Sequence, residues 1–492
     1  MSRYDVVVVG YGFAGGIAAI AAHDAGAKVL LIEKCAAPGG ISVCSAGGLR
    51  VADDEGEALA YLVATNAGTT PEPVLAELAR GMTGLADFAR TLCEPVGAAL
   101  GVRGSPANYP LPGYRTFGFA YVDAFPGFDP AAAYPHVRGS PAGARIFEVV
   151  RRNVERRAIA VRLATPVDRL LAEDGRVSGI VAGGETVRAA GVVLACGGFE
   201  ADPDLQRQHW PLQPVLSAAV AFNTGDGIRM GQSRGAKLWH MWHYHGSYGF
   251  RHPDPAYPFG IRLKRLPDWN PADGLREDVA MSWILVDRDG RRFMNEYEPY
   301  MQDTGHRPFE RYDTARQRFA RVPSVLLVDA RGRARYPLAA PTWNDPAVAA
   351  RFGGLEPRDF DDSILFTSDT LAGIAARFGL DGALLADSVT RWNEACAQGR
   401  DDAFGRPPGS MVPIAEPPFS AAEIWPVVSN TQGGLAHDER QRVLDAYGAP
   451  IPGLHVAGEL GSVFGHLYMS GGNIAECFVG GRIAGREAAG TA

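Results

Sequence analysis

With 48 Lys and Arg against 55 Asp and Glu, a net charge of −7 and 46% hydrophobic residues, this chain of 492 residues reads as a soluble globular protein. Its length, about three times that of a usual domain, predicts two domains or one large domain with an insertion. The acidic balance excludes a nucleic-acid binder that relies on bulk basic charge, and six scattered cysteines without a C-x-x-C pair suggest neither a disulfide framework, a thiolate metal site nor a redox dithiol.

Residues 1–4 run directly into an apolar, β-branched stretch at 5–9, which leaves no room for a signal peptide and predicts a cytoplasmic protein. That stretch suits a parallel strand buried on both faces. Glycines and then alanines over 11–26 predict a turn and a helix, and 28–33 is again β-like. Helical periodicity over 144–157 precedes β-like segments at 161–163, 176–182 and 191–195, with a turn signal at 173–175. From about 237 to 271 the composition shifts to aromatic, His and Pro residues. Helices are predicted over 367–378 and 384–398, a strand over 454–457 and a last helix over 473–488. No apolar stretch approaches the ~18 residues of a membrane span, so no integral membrane segment is expected.

The first motif is Gly10-Tyr11-Gly12-Phe13-Ala14-Gly15, which follows a strand, opens a helix and leads through a second strand to Glu33. Such glycines let backbone approach a pyrophosphate, the helix N-terminus offers N–H groups to it, and the acid can accept hydrogen bonds from a ribose. A second glycine-rich loop holds Gly40, Ser42, Ser45, Gly47 and Gly48, where bare backbone can lie against a flat ring system. Only one dinucleotide fingerprint is present, which favours FAD with an external electron acceptor over a flavin enzyme that also binds NAD.

These motifs, together with VVLACGGF (192–199), NTGDGIRM (223–230), GRRFMNE (290–296), TQGG (431–434), LHVAGE (454–459) and SGGN (470–473), are highly specific in combination. The chain resembles the FAD-dependent family that contains fumarate reductase and succinate dehydrogenase flavoprotein subunits, urocanate reductase and the 3-ketosteroid dehydrogenases. The resemblance implies an α/β fold: a Rossmann-like FAD-binding domain formed by both chain ends (1–231 and 426–492), with an inserted α+β substrate-capping domain (232–425). It adds Lys34, Val167, Gly197, Gly198, Asn473 and Ile474 to the implied FAD contacts. Glu459 is implied at the ribityl chain and Asp226 is a similar candidate; each reads equally as a helix or turn cap.

The family moves a hydride between flavin N5 and one carbon of a C–C bond while a protein group moves a proton at the next carbon. Reductases of the fumarate type use a His, an Arg and a second, proton-delivering Arg at positions that read Asn430, Met469 and Tyr300 here. A dicarboxylate would therefore meet none of its usual cations. The stretch Tyr468-Met469-Ser470-Gly471-Gly472 resembles instead the Tyr-x-Ser stretch of the Δ4(5α) branch of the ketosteroid dehydrogenases.

The implied activity is α,β-desaturation of a cyclic ketone, a 3-oxosteroid or a smaller oxocyclohexane. Tyr468, helped by the N–H of Gly472, holds the carbonyl oxygen; Tyr300 and Ser470 remove the α-proton; flavin N5 takes the β-hydride. Electrons then pass to a quinone, another flavoprotein or oxygen. The alternatives are an enone or enoate reductase running the reverse reaction, and a flavin-binding protein without turnover. In Trp239-His240-Met241-Trp242-His243-Tyr244-His245 the last two histidines would share a strand face, yet flavin chemistry needs no metal and none is expected. Were His or Arg side chains of that region to face the substrate, a ketone bearing a carboxylate would be favoured over a steroid.

Overall fold

The computed structural model describes residues 2–263, 281–297 and 301–490. Its first sheet draws strands from both ends of the chain. Strand Ser2–Val9 lies between Glu185–Leu194 and Val29–Ile32, parallel to both; Pro450–Val456 and Ala160–Arg162 extend the parallel set on either side. The unbroken valine run follows from burial on both faces, since Val6 and Val8 enter one core cluster while Val7 and Val9 enter another. A hairpin, Val167–Glu173 and Arg176–Ala182, folds antiparallel onto Glu185–Leu194.

Helix Phe13–Asp24 packs against the C-terminal helix Gly472–Gly490 at very short range. A Cβ at Gly485 would stand 2.2 Å from Ala18 O and one at Gly481 2.8 Å from Ala14 O, so the backbones touch where side chains are missing. This contact carries the start of the last helix to the glycine turn at the other end of the sequence.

The second sheet is organised on the 13-residue strand Phe419–Thr431. Ser324–Val328 and Tyr244–Arg251 flank it antiparallel, Trp283–Val286 lies outside the first, and Gly260–Leu263 then Ala339–Ala340 outside the second. The strands alternate between two cores: Trp283 and Leu285 face the larger, whereas Ile284 and Val286 face a smaller one closed by helices Leu371–Phe378 and Gly382–Gln398. The helix expected from residue 367 starts later than its sequence suggested. Phe366–Ser368 pairs with Phe419–Thr431 instead, and Thr370 caps the helix by accepting from the Gly373 N–H. Among the described residues no helix is long and apolar enough to cross a membrane.

Candidate active site

A cavity of about 790 Å³ opens where the parallel strands end and the second sheet faces them. Gly10, Glu33, Cys196 and Ala457, each just beyond the carboxyl end of a parallel strand, line it, which is where open α/β sheets place ligands. Gly10 turns with φ of +101°, and a Cβ there would lie 2.3 Å from Ala195 O. Gly12 precedes helix Phe13–Asp24 without any side-chain cap, and Ser42 Oγ accepts the Phe13 N–H at 3.1 Å. Glu33 accepts from the N–H of Tyr11 at 2.8 Å and of Cys35 at 2.9 Å, which fixes its carboxylate under the turn.

The other expected contacts divide between wall and support. Gly40, Ser45, Gly48, Val167 and Gly197 line the cavity, as do Lys34 and Asp226, which pair at 2.7 Å. Asn473 and Ile474 line it from the start of the last helix. Gly15 and Gly47 are not in the wall. A Cβ at Gly15 would meet Gly10 O at 1.8 Å and one at Gly47 would meet Ala142 at 2.3 Å, so both permit close backbone packing. Gly198 likewise stands behind the wall and donates its N–H to Glu459.

Three buried acids surround this region, of which sequence reading singled out only Glu459. Glu459 lines the cavity, and its Oε1 accepts from the Thr431 N–H at 2.6 Å and hydroxyl at 3.1 Å; burial still pushes its carboxyl up. Glu200 accepts from Asn223 at 2.7 Å while its Oε2 has no partner among the described residues, and burial, then the Glu459 charge, push its carboxyl well up. Glu476 is held by Ser462, the Val463 N–H and Asn473, and burial pushes it up to about 8. The signal for Glu476 was an acid among the small and apolar residues of the first half of that helix.

These shifts carry a pH dependence. Between the ordinary carboxyl value of 4.5 and about 8, folded Glu476 keeps a proton that the unfolded chain has lost. The native state binds more protons there, so this group's contribution to stability falls as pH rises through the window. Unfolding midpoints of wild type and Glu476→Gln, measured across it, should diverge with the variant showing the flatter fall. Parallel curves would refute the assignment.

At the other end of the cavity stand Tyr468 and Ser470. Tyr468 is buried; its ring packs 4.3 Å from His245 and 5.1 Å from Phe464, and its hydroxyl accepts the Asn473 N–H at 3.2 Å. Gly472, expected to offer its N–H to a substrate carbonyl, is outside the wall and donates to Met469 O at 2.9 Å. Tyr300 lies outside the described residues.

The loop carrying these groups is tied down by side chains distant in sequence. Arg50, buried and stacked 3.8 Å over Phe119, donates to Ser470 O at 2.7 Å and Ser105 O at 2.8 Å, while Asn108 accepts the Ser470 N–H at 2.7 Å. Asp303, fully buried, accepts from the Tyr468 N–H at 3.0 Å and the Tyr109 hydroxyl at 2.6 Å; His243, then the Tyr109 hydroxyl and the Arg307 charge, hold its carboxyl low despite burial. His243 Nε2 stands 3.1 Å from Asp303 Oδ1, an ion-pair distance without hydrogen-bond alignment.

His243 and His245 therefore serve different neighbours. The strand starts at Tyr244, and His245 Nδ1 meets Asn430 Oδ1 at 3.0 Å. Asn430 in turn donates to Asn473 at 3.0 Å, so neutral amides occupy the place where the fumarate-type resemblance would put a cation. Among the described residues, no group of three or more His, Cys, Asp or Glu is placed to hold a metal ion.

Bare backbone at the glycine turn, an uncapped helix start and an acid beneath them fit the dinucleotide half of FAD, and the Gly48 and Asn473 walls fit its ring half. Comparison with known proteins agrees. A family model described as FAD binding domain matches residues 5–474. The chain is 28% identical over 500 residues to a fumarate reductase (cytochrome) of Shewanella frigidimarina, spanning 99% of this chain and 77% of that protein. It is also 28% identical over 377 residues to a 3-oxosteroid 1-dehydrogenase of Mycobacterium tuberculosis, spanning 70% of this chain and 62% of the relative. In fold it is similar to the 3-ketosteroid delta1-dehydrogenase of Sterolibacterium denitrificans solved with 1,4-androstadiene-3,17-dione, with a TM-score of 0.81 and 24% identity across the whole of both chains. The 3-ketosteroid-delta4-(5alpha)-dehydrogenase of Rhodococcus jostii RHA1 gives a TM-score of 0.68 at 22% identity, covering 99% of this chain and 97% of that one.

Proposed function

Because the chain belongs to the FAD binding domain family and is an FAD-dependent oxidoreductase, we propose that it desaturates a cyclic ketone between its α and β carbons. The observation that carries this reading is the buried Tyr468 hydroxyl, set in the cavity wall at the start of the last helix, where it accepts the Asn473 N–H. FAD, when bound, supplies the two-electron acceptor for the β-hydride. The chain's own residues do the rest.

Tyr468 donates to the ketone oxygen, whose charge grows as the α-proton leaves, and such a donor is worth about 3 to 4 kcal/mol in the transition state. The adjacent helix start adds a partial positive charge of the same benefit. Ser470, fixed by Arg50 and Asn108, takes the α-proton or relays it, with Tyr300 as its partner in that step. Loss of that proton and of the β-hydride leaves the C=C bond, and both electrons then go to an external quinone, flavoprotein or oxygen. The name of the mycobacterial relative supports a ketone substrate. The likeness to a fumarate reductase over nearly the whole chain favours, as second reading, the reverse reduction of an enone or enoate.

Anaerobic mixing of the holoenzyme with saturated cyclic ketones separates the two. Desaturation predicts bleaching of the oxidised flavin absorbance and formation of an enone. Absence of bleaching, with prompt reoxidation of chemically reduced enzyme by enones or enoates, would reverse the direction.

A further inference from the structure

Desaturation releases a proton that the two hydroxyls assigned to it cannot keep. Ser470 and Tyr300 can pass a proton on, but neither an alcohol nor a phenol holds an extra one at neutral pH. Among the described residues, His245 is the one imidazole in the cavity wall, and its ring packs 4.3 Å from that of Tyr468. The acids of the same wall are engaged elsewhere: Glu33 with the glycine turn, Asp226 with Lys34, Glu459 with Thr431. The hydrogen bonds behind His245 fix which of its nitrogens carries the proton. Asn430 turns its Nδ2 to the Thr431 carbonyl at 3.3 Å and to Asn473 Oδ1 at 3.0 Å, and a backbone carbonyl can only accept. Asn473 is oriented in the same sense, since its Nδ2 donates to Glu476 Oε1 at 2.6 Å while its Oδ1 also takes the Gln432 amide at 3.1 Å. The atom 3.0 Å from His245 Nδ1 is therefore Asn430 Oδ1, so Nδ1 donates and Nε2 is the acceptor of the ring.

We propose that His245 is a catalytic residue, the final acceptor of the substrate's α-proton at Nε2. This rests on the desaturase reading and completes it. The α C–H bond breaks, its electron pair passes into the enolate and then into the C=C bond, and the proton ends on Nε2, directly or through Ser470 and Tyr300. The β-hydride leaves to flavin N5. A hydroxyl already donating to Nε2 would be the last member of that relay. The imidazolium that forms keeps its Nδ1–H on the Asn430 oxygen and lies within cation–π range of the Tyr468 ring, and both contacts favour the charged state. Asn430 is then a positioning residue, the third group that orients a base by holding its tautomer.

The proton step can be read apart from turnover. Chemically reduced holoenzyme cannot take a hydride, so in deuterated buffer a saturated cyclic ketone should only exchange its α-hydrogens, which mass spectrometry follows. His245→Gln should lower that exchange about a hundredfold with FAD retained, and added imidazole should restore part of it in His245→Ala. Asn430→Leu should lower it too, because the ring can then carry its proton on Nε2. Nitrogen NMR spectra of histidine-labelled wild-type holoenzyme, with the His245 signals assigned by their loss in His245→Gln, should show the proton on Nδ1. Exchange as fast in His245→Gln as in wild type, or a proton found on Nε2, overturns the proposal; so does a folded, FAD-bound His245→Ala that imidazole does not rescue, which would reduce the ring to packing. Should the His245 variants lose FAD, exchange must still fall in Asn430→Leu. If no cyclic ketone bleaches or exchanges while enones reoxidise the reduced enzyme, the desaturase reading fails. His245 then stands or falls on the reverse step, delivery of deuterium to the α carbon, which His245→Gln should slow about a hundredfold.

Discussion

Replacing Tyr468 by phenylalanine should lower turnover of a cyclic ketone by a factor of about a hundred to a thousand while FAD remains bound. The ring is kept, so its packing on His245 and Phe464 survives. What disappears is the hydroxyl, and with it both the acceptor of the Asn473 N–H and the proposed donor to the developing enolate oxygen. The first loss exposes one helix N–H to the cavity and costs about 1 kcal/mol of stability. The second acts mainly in the transition state, so kcat should fall much more than KM changes. Rapid mixing of Tyr468→Phe holoenzyme with ketone checks this through the rate of flavin bleaching. A rate near that of wild type would remove Tyr468 from the chemistry and leave Ser470 and the helix start as the groups to examine.

The nucleotide half of the protein was readable because its information is contiguous. Strand, glycine turn, helix, second strand and Glu33 follow one another within the first 33 residues, and each sits where its local pattern places it. The supports of the other end were not readable, since they close over long separations. Arg50 reaches Ser470 across 420 positions, and Asp303 joins Tyr109 to Tyr468 across 194 and 165. No periodicity or spacing connects such residues.

The histidine-rich segment shows a related failure of local pattern. Alternation placed His243 and His245 on one face, but the strand begins between them, and each finds a partner from a distant segment. Glycines misled in another way. Gly12 and Gly15 look equivalent in the motif, yet only Gly12 faces the cavity, because the helix period turns Gly15 back onto Gly10.

Glu296→Gln should be the most destabilising of the changes considered, at about 3 to 5 kcal/mol. The carboxylate accepts from Arg292 at 2.7 Å, Arg406 at 3.1 Å and the Leu285 N–H at 3.1 Å, and Asp401 completes the cluster 2.8 Å from Arg292. The side chains of Glu296 and Arg406 are fully buried and those of Arg292 and Asp401 nearly so. Two cations and two anions therefore balance in the interior, with both guanidinium groups stacked over Trp392 of the smaller core. Arg406 also donates to the carbonyls of Met281, Trp283 and Ser410, so the cluster ties three segments together.

An amide in place of the Glu296 carboxylate keeps the volume but leaves a net buried positive charge, with its own N–H groups turned toward guanidinium donors. The cost should appear as a lower urea midpoint. None of the four charged residues lines the cavity, so the FAD spectrum and the turnover of molecules still folded should persist. Removing charge from both sides in Glu296→Gln, Arg406→Met should recover part of the loss, because no uncompensated ion then remains. A midpoint equal to wild type in the single variant would mean that water reaches the cluster. Loss of flavin binding at full stability would instead place Glu296 in the active site.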